Sequence, residues 1–303
     1  MAKRSPSQDL FDRASAADRQ QAQELAFRVR ESERRALPYF SGGIFILLCL
    51  AALCAPLLAV HSPEQFFLTK ANMPPCAEFF LGTDPLGRDL YSLLFYALRT
   101  SLAVGLISFT VSVLLALTIG VISALSPDLI DRALQRLLEL LQSIPQILLF
   151  MLLCAIIPSH SILTLGLIIG SCSFFALARL LRSEVKTLLS ADFVLAARGL
   201  GSSAARIALT HLLPQVLPGL SFALTSTLSS AIAAEAVLSF LGLGLSPEIL
   251  SLGGLLTISE RAFLMHSWWC VLIPGLVLTA LLGSVTALGS YFSRRSVRPC
   301  SYL

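Results

Sequence analysis

Long uncharged stretches alternate with short charged ones along this chain. The stretches without Lys, Arg, Asp or Glu are 36–63, 100–127, 140–178, 207–234 and 262–293. A helix of about 20 apolar residues crosses the roughly 30 Å hydrocarbon core of a bilayer, so each stretch is long enough to span. The pattern predicts an integral membrane protein.

The third stretch is too long for one crossing. Its 39 residues would form a helix of about 58 Å at 1.5 Å per residue, nearly twice the thickness of the hydrocarbon core. The sequence Pro-Ser-His-Ser at 158–161 provides a break. Helices are the only open-ended elements that satisfy their backbone in lipid, so we predict an all-α fold with six transmembrane helices. The predicted spans are 40–60, 100–125, 140–158, 162–181, 216–243 and 268–292.

The basic residues indicate the orientation of these spans. If residues 1–39 form a cytoplasmic N-terminal segment, 18 of the 22 Lys and Arg residues lie on the cytoplasmic side, as the positive-inside rule expects. Both termini are then cytoplasmic. The first span is 40–60, an extracytoplasmic loop with an interfacial helix covers 61–99, a five-helix core covers 100–292, and 293–303 is a cytoplasmic tail. Within the core, 182–215 is a cytoplasmic loop.

Composition agrees with a membrane chain and argues against several functions. Hydrophobic residues make up 55% and charged residues 13%, about half the charge of a soluble domain. The net charge of +4 is not arranged in a basic face with interleaved aromatic residues, so no nucleic-acid partner is expected. No C-x-x-C, H-E-x-x-H or P-loop motif is present, and no nucleophile lies beside a base. We therefore predict no catalytic residues, no metal site and no cofactor bound by this chain.

The cytoplasmic segment 190–214 is the most informative region. An Ala-rich helix ends at Gly199 and Gly201, Ser202 can cap a second helix, and Pro214 turns the chain towards the next span. A partly apolar cytoplasmic segment of this length predicts a docking surface, although an ordinary amphipathic connection remains an alternative.

This segment resembles the EAA loop of ABC-importer permeases, which docks on the ATPase. Two positions depart from the family pattern: Leu195 stands where the family has Glu, and His211 stands where the general pattern has Ile. The matching positions are Ala196, Ala197, Gly201, Leu213 and Pro214.

A second motif lies before the second span, in the sequence Leu-Gly-Thr-Asp-Pro-Leu-Gly-Arg-Asp-Leu-Tyr at 81–91. Thr83 or Asp84 could cap a helix over 85–98 at the outer interface, with Pro85 in its first turn. The segment resembles the LGTDxxGRD signature of the C-type permease subunits of oligopeptide and dipeptide importers. The sequence at 235–244 and the pair Trp268-Trp269 are similar to the same branch. The motif residues are Gly82, Thr83, Asp84, Gly87, Arg88 and Asp89.

The resemblance implies a type I ABC importer permease fold in a bacterial cytoplasmic (inner) membrane. It also implies peptide import by alternating access, with a second permease subunit, two ATPase subunits that bind ATP and Mg, and an extracytoplasmic binding protein. Oligopeptides, dipeptides and nickel chelates are carried by similar subunits, so the substrate stays open.

Glu235 is the one ionisable residue well inside a predicted span. Such residues usually face the bundle interior or a water-filled path because a charge at mid-bilayer is unfavourable. Three roles are open: an interior carboxylate bonded to Ser229, Ser230 or another subunit, a contact to substrate or gate, and proton coupling. The last would suit a secondary transporter, but no paired halves with broken helices are visible. A structural or assembly role would leave both motifs unexplained.

Overall fold

The computed structural model describes residues 39–157, 160–264 and 267–296. Residues 1–38 of the predicted N-terminal segment 1–39, the break at Pro158-Ser159 and most of the tail lie outside the described residues. The described ranges form helices joined by turns, with one isolated β-bridge between Thr83 and Asp89. The helices are α1 (Tyr39–Leu53), α2 (Ala55–Leu58), α3 (Leu90–Leu125), α4 (Asp128–Ser143), α5 (Gln146–Ile156), α6 (Ile162–Leu189), α7 (Asp192–Gly199), α8 (Ala204–Ile207), α9 (Leu213–Val216), α10 (Ser221–Phe240), α11 (Leu252–Leu264) and α12 (Trp268–Ser296). A short 3₁₀ helix covers Leu68–Lys70, and a π-helical turn covers Ala208–Leu212.

The all-α prediction is confirmed for the described residues. Among them, α3, α6, α10 and α12 are each long and apolar enough to cross a membrane. The helices α4 and α5 pass the same test only as a pair, bent by 85° at the break between them. The first predicted span contains α1, a shorter apolar helix, which ends before Pro56. The count of six spans stays a prediction.

The interfacial helix predicted over 85–98 does not exist as a separate element. The carboxylate of Asp89 accepts hydrogen bonds from the backbone N–H groups of Tyr91 and Ser92 and caps α3. From Leu90 the helix continues without a break to Leu125, because no Pro interrupts residues 90–125. The prediction placed the helix start one turn early, at Pro85.

The third predicted span, 140–158, also begins in a different place. Residues 140–143 end α4, an amphipathic helix that carries Asp and Glu as well as Arg. The apolar helix α5 starts only after Pro145 and has 11 residues. The sequence pattern misplaced the boundary because the uncharged stretch begins inside α4, ahead of the proline that ends it.

The helices α3 and α6 make the most extensive contact in the described part of the bundle. Gly120 of α3 faces Ala178 and Leu181, and Gly170 of α6 faces Ser108 and Val111. At these contacts a side chain on the glycine would collide with the opposite helix. Small residues let helix backbones approach closely in membrane proteins, and the Ser112 hydroxyl uses this proximity to donate a 2.8 Å hydrogen bond to the carbonyl of Gly170.

The chain turns back into the bundle after α10. A buried apolar cluster joins α3, α10, α11 and α12 through residues such as Leu98, Ile232, Leu252 and Leu281. The first residues of α11 lie against α10, where a Cβ on Gly253 would collide with the carbonyl of Ala236. The predictions did not include α11 or this re-entrant connection over 241–251.

Candidate functional site

The predicted docking segment 190–214 begins with α7, which has a buried face and an exposed face. The side chain of Val194 is fully buried in a cluster with Val185, Ile207 and Leu212. Ala197 is half-buried against the same cluster. Ala196 and Leu200 point away from it, and the Leu200 side chain is 88% exposed. Of the two matching alanines, therefore, Ala196 belongs to the free surface and Ala197 to the packing beneath it.

The turn after α7 depends on Gly201. Its φ of +79° lies in the left-handed region, which favours glycine because other residues meet a Cβ penalty there. The backbone N–H of Ser202 donates to the carbonyl of Ala197 and closes the turn. The predicted cap by Ser202 is wrong, since the Ser203 hydroxyl accepts the hydrogen bond from the N–H of Arg206. The side chain of Leu195 lies outside the described residues.

A π-helical turn lies near the end of the docking segment, between α8 and α9, on the way to α10. The backbone N–H of Leu213 donates to the carbonyl of Ala208, five residues earlier. Pro214 has no N–H to donate to Thr210, and a residue without this donor disturbs the regular ladder. His211 and Pro214 are exposed and Leu213 is half-buried. The sequence analysis did not predict the π turn, although such turns often occur at functional sites.

The motif at 81–91 forms a closed turn that is held by the carboxylate of Asp84. One carboxylate oxygen of Asp84 accepts hydrogen bonds from the N–H groups of Leu86 and Arg88 at 2.9 and 2.8 Å, and the other accepts from Nε of Arg88 at 2.8 Å. Both side chains are buried. The Thr83 hydroxyl accepts from the N–H of Met73 and donates to the carbonyl of Lys70. Neither Thr83 nor Asp84 caps α3, contrary to the prediction.

Two glycines make this turn possible. Gly82 and Gly87 have φ values of +80° and +76°. A Cβ at either position would also collide with a backbone carbonyl, that of Met73 for Gly82 and that of Phe67 for Gly87. The Nε1 of Trp269 donates to the carbonyl of Thr83 at 3.3 Å, so the turn is attached to the start of α12. The hydrogen bonds of the motif thus join the preceding loop and the start of α12 to this turn.

Glu235 lies on α10 and is fully buried. The hydroxyl of Ser101 donates to Oε2 at 2.7 Å, and the hydroxyl of Ser239 donates to Oε1 at 2.9 Å. The Ser101 hydroxyl also accepts a hydrogen bond from the N–H of Leu252, the first residue of α11. The partners suggested from the sequence were wrong: the Ser229 hydroxyl points to the carbonyl of Leu282, and Ser230 is exposed.

A further charged cluster was missed by the sequence analysis. Asp131 of α4 is buried, and its carboxylate accepts hydrogen bonds from the Ser123 hydroxyl at 2.6 Å, from Nε of Arg182 at 2.5 Å and from Lys186. The hydrogen bonds from Arg182 hold the pKa of the Asp131 carboxyl well below its usual range. The cluster joins the charged helix α4 to α3 and to the end of α6 that leads into α7.

Comparison with known proteins agrees with this architecture. Residues 116–298 match the family model described as "Binding-protein-dependent transport system inner membrane component". The di/tripeptide transport system permease protein DppC of Pseudomonas aeruginosa (strain UCBPP-PA14) is 34% identical over 256 residues, which are 82% of this chain and 84% of that protein. The dipeptide transport system permease protein DppC of Bacillus subtilis (strain 168) is 31% identical over 250 residues, 82% of this chain and 78% of that protein.

A solved structure shares the fold. It is an inward-facing conformation of the MetNI methionine ABC transporter, with a TM-score of 0.56 and 19% sequence identity. The match covers 68% of this chain and 97% of that one. The family match, the permease relatives and the shared fold lead to the same result: this chain belongs to the family of binding-protein-dependent transport system inner membrane components.

Proposed function

We propose that this chain is a permease subunit of an ABC importer that moves peptides into the cytoplasm by alternating access. The observation that carries the proposal is the similarity to di/tripeptide and dipeptide permeases over about four fifths of the chain. The internally bonded outer turn and the two-faced helix α7 support it, since an importer subunit needs contacts at both membrane surfaces.

The chain works as part of a larger assembly. Its partners are a second permease subunit, two cytoplasmic ATPase subunits that bind ATP and Mg, and an extracytoplasmic binding protein. Most residues in the apolar stretches of α12 and α3 are not buried within the chain. Such exposed apolar helices need lipid or another membrane subunit around them, which supports this assembly.

The orientation follows the distribution of basic residues, with both termini in the cytoplasm. In this orientation α7 meets an ATPase subunit, and the turn at 82–89 lies outside. The docking surface on α7 is its exposed side, which includes Phe193, Ala196 and Leu200. Gly201 sets the turn that follows, and the segment with His211, Leu213 and Pro214 passes movement of α7 to α10. An ordinary amphipathic connection between two spans would need no apolar side chains on its exposed side.

Crosslinking tests the docking surface. A cysteine introduced at Ala196 should form a crosslink to an ATPase subunit in assembled complex, whereas one at the half-buried Ala197 should react far less. The chain's own seven cysteines are first replaced by serine or alanine. Labelling of the Ala196 position by an impermeant reagent added outside intact cells would refute the orientation.

Transport tests the function itself. The complete complex is reconstituted in proteoliposomes, with its binding protein outside, and uptake of labelled dipeptides, tripeptides and longer peptides is measured with and without ATP inside. ATP-dependent uptake of at least one peptide class is expected. Binding-protein-stimulated ATP hydrolysis without uptake of any peptide would refute peptide import and leave the permease assignment standing.

A further inference from the structure

The carboxylate of Glu235 connects three separate helices. It lies on α10, its hydroxyl donors Ser101 and Ser239 lie on α3 and α10, and Ser101 in turn accepts from the N–H of Leu252 in α11. Ser101 lies 134 residues from Glu235 in the sequence, and Leu252 lies beyond α10 on the other side. The group therefore holds together parts of the chain that the covalent backbone leaves far apart.

Both hydroxyl donors also accept a backbone hydrogen bond from the segment that turns back after α10. The Ser239 hydroxyl accepts from the N–H of Leu245 at 3.4 Å, and the Ser101 hydroxyl accepts from the N–H of Leu252 at 3.1 Å. The two hydroxyl groups thus link backbone donors of this segment to the carboxylate of Glu235.

This arrangement fits a group that only accepts hydrogen bonds. Because the serine oxygens receive backbone N–H groups, their own O–H groups are free to point at Glu235. A carboxylate has acceptor sites for all of them, whereas a glutamine amide must place an NH₂ donor where a hydroxyl donates. Replacing Glu235 with Gln would therefore cost at least one of these bonds while keeping the size of the side chain.

The first turn of α11 adds to the same contact. Ser251 caps this helix through the N–H of Gly254, and the free N–H groups of a helix N-terminus favour a nearby negative charge. Gly253 lets the turn lie directly against the backbone of Ala236, one residue after Glu235. The helix α11 therefore begins inside the bundle, next to the carboxylate, and is not simply a surface loop.

We infer that Glu235 is a positioning residue that fixes the re-entrant segment 241–254 and the start of α11 at the outer end of the permease. The inference rests on the proposed function, because the outer end is where the loaded binding protein delivers substrate. A contact with the transported peptide is not favoured, since the carboxylate is fully buried and its hydrogen bonds are made within this chain.

Amide hydrogen exchange of the complete complex in nanodiscs tests the positioning directly. Glu235→Gln should accelerate exchange of the amides in 241–254 by about tenfold, the effect of losing roughly one hydrogen bond to a charged group, and leave α6 unchanged. Glu248→Gln is the matched control, because Glu248 is an exposed carboxylate in the same segment. Equal exchange in Glu235→Gln, Glu248→Gln and the unmodified complex would overturn the inference.

A functional measurement separates positioning from substrate contact. In Glu235→Gln, the concentration of loaded binding protein that gives half-maximal ATPase stimulation should rise several-fold, while ATP hydrolysis without binding protein stays unchanged. If peptide uptake is lost but exchange in 241–254 stays normal, Glu235 acts on the substrate and the inference is wrong. If exchange rises as expected but the unmodified complex transports no peptide, the proposed function fails and the positioning role stands.

Serine variants cover the case in which Glu235→Gln does not assemble. Ser239→Ala removes one hydroxyl link and leaves the carboxylate in place, and Ser230→Ala removes an exposed hydroxyl from the same helix. Faster exchange around Leu245 in Ser239→Ala, with none in Ser230→Ala, is the expected result. Identical exchange in the two variants would overturn the inference.

Discussion

Replacing Asp131 with Asn should weaken the attachment of α4 to α6. The substitution keeps the shape of the side chain but removes the negative charge that faces Arg182 and Lys186. Their side chains are 22% and 35% exposed, and that of Asp131 is 2% exposed. The cluster is therefore intermediate between a buried pair and a surface pair.

The size of the effect follows from that burial. Removing one partner of a fully buried ion pair is unfavourable by about 3–5 kcal/mol, whereas an exposed pair contributes about 0–1 kcal/mol. Water can reach Arg182 and Lys186, so we expect a loss of about 2 kcal/mol for Asp131→Asn. At roughly 2–4 °C per kcal/mol for a large domain, the unfolding midpoint should fall by about 4–8 °C.

The assay is the thermal unfolding of the detergent-purified permease pair, followed by the fraction that stays soluble and monodisperse after heating. Glu139→Gln on the same helix is the control, because Glu139 pairs with an Arg136 side chain that is 84% exposed. Its midpoint should fall by less than that of Asp131→Asn, and by no more than about 4 °C, because an exposed pair contributes at most about 1 kcal/mol. Equal midpoints for Asp131→Asn and Glu139→Gln would refute the reasoning from burial.

Three further substitutions test the outer turn and the docking segment. Gly87→Ala should prevent the turn at 82–89 from closing and lower the yield of folded protein, while Gly43→Ala, where a Cβ meets open space, should not; equal yields would contradict this. Gly201→Leu should abolish ATPase stimulation by loaded binding protein while the subunit still inserts, because a side chain at φ +79° is strained; normal stimulation would reject it. Leu195→Glu should not strengthen assembly with the native ATPase, since we expect an apolar facing pocket; tighter recovery at low salt that disappears at high salt would show a basic one.

The sequence predicts the helices of this fold better than their ends. The uncharged stretches locate α3, α6, α10 and α12 because apolar length is a direct requirement of the bilayer. Helix starts were harder to place: Asp84 and Asp89 both precede a helix, and either could cap it. What decides between them is the turn at Gly87 and the hydrogen bonds from Arg88 to Asp84, which depend on the folded loop.

The candidate segments could be located in the sequence because each is continuous. The segments at 190–214 and 81–91 are read directly along the chain, and their roles stay predictions. The partners of Glu235 and Asp131 could not, since Ser101 lies 134 residues from Glu235 and Arg182 lies 51 residues from Asp131. Ser229 and Ser230 are nearer in the sequence, but the Ser229 hydroxyl contacts the carbonyl of Leu282 and Ser230 is exposed.

The unbroken helix α3 has a mechanical consequence. Its 36 residues form a rod of about 54 Å at 1.5 Å per residue, well beyond the thickness of the hydrocarbon core. Asp89 caps its N-terminal end directly after the closed turn, and Ser123 joins its C-terminal end to Asp131 of α4. A rigid tilt of about 10° around the centre of such a rod moves its two ends by about 5 Å in opposite directions. The turn at 82–89 and the helix α4 should therefore move together whenever α3 tilts.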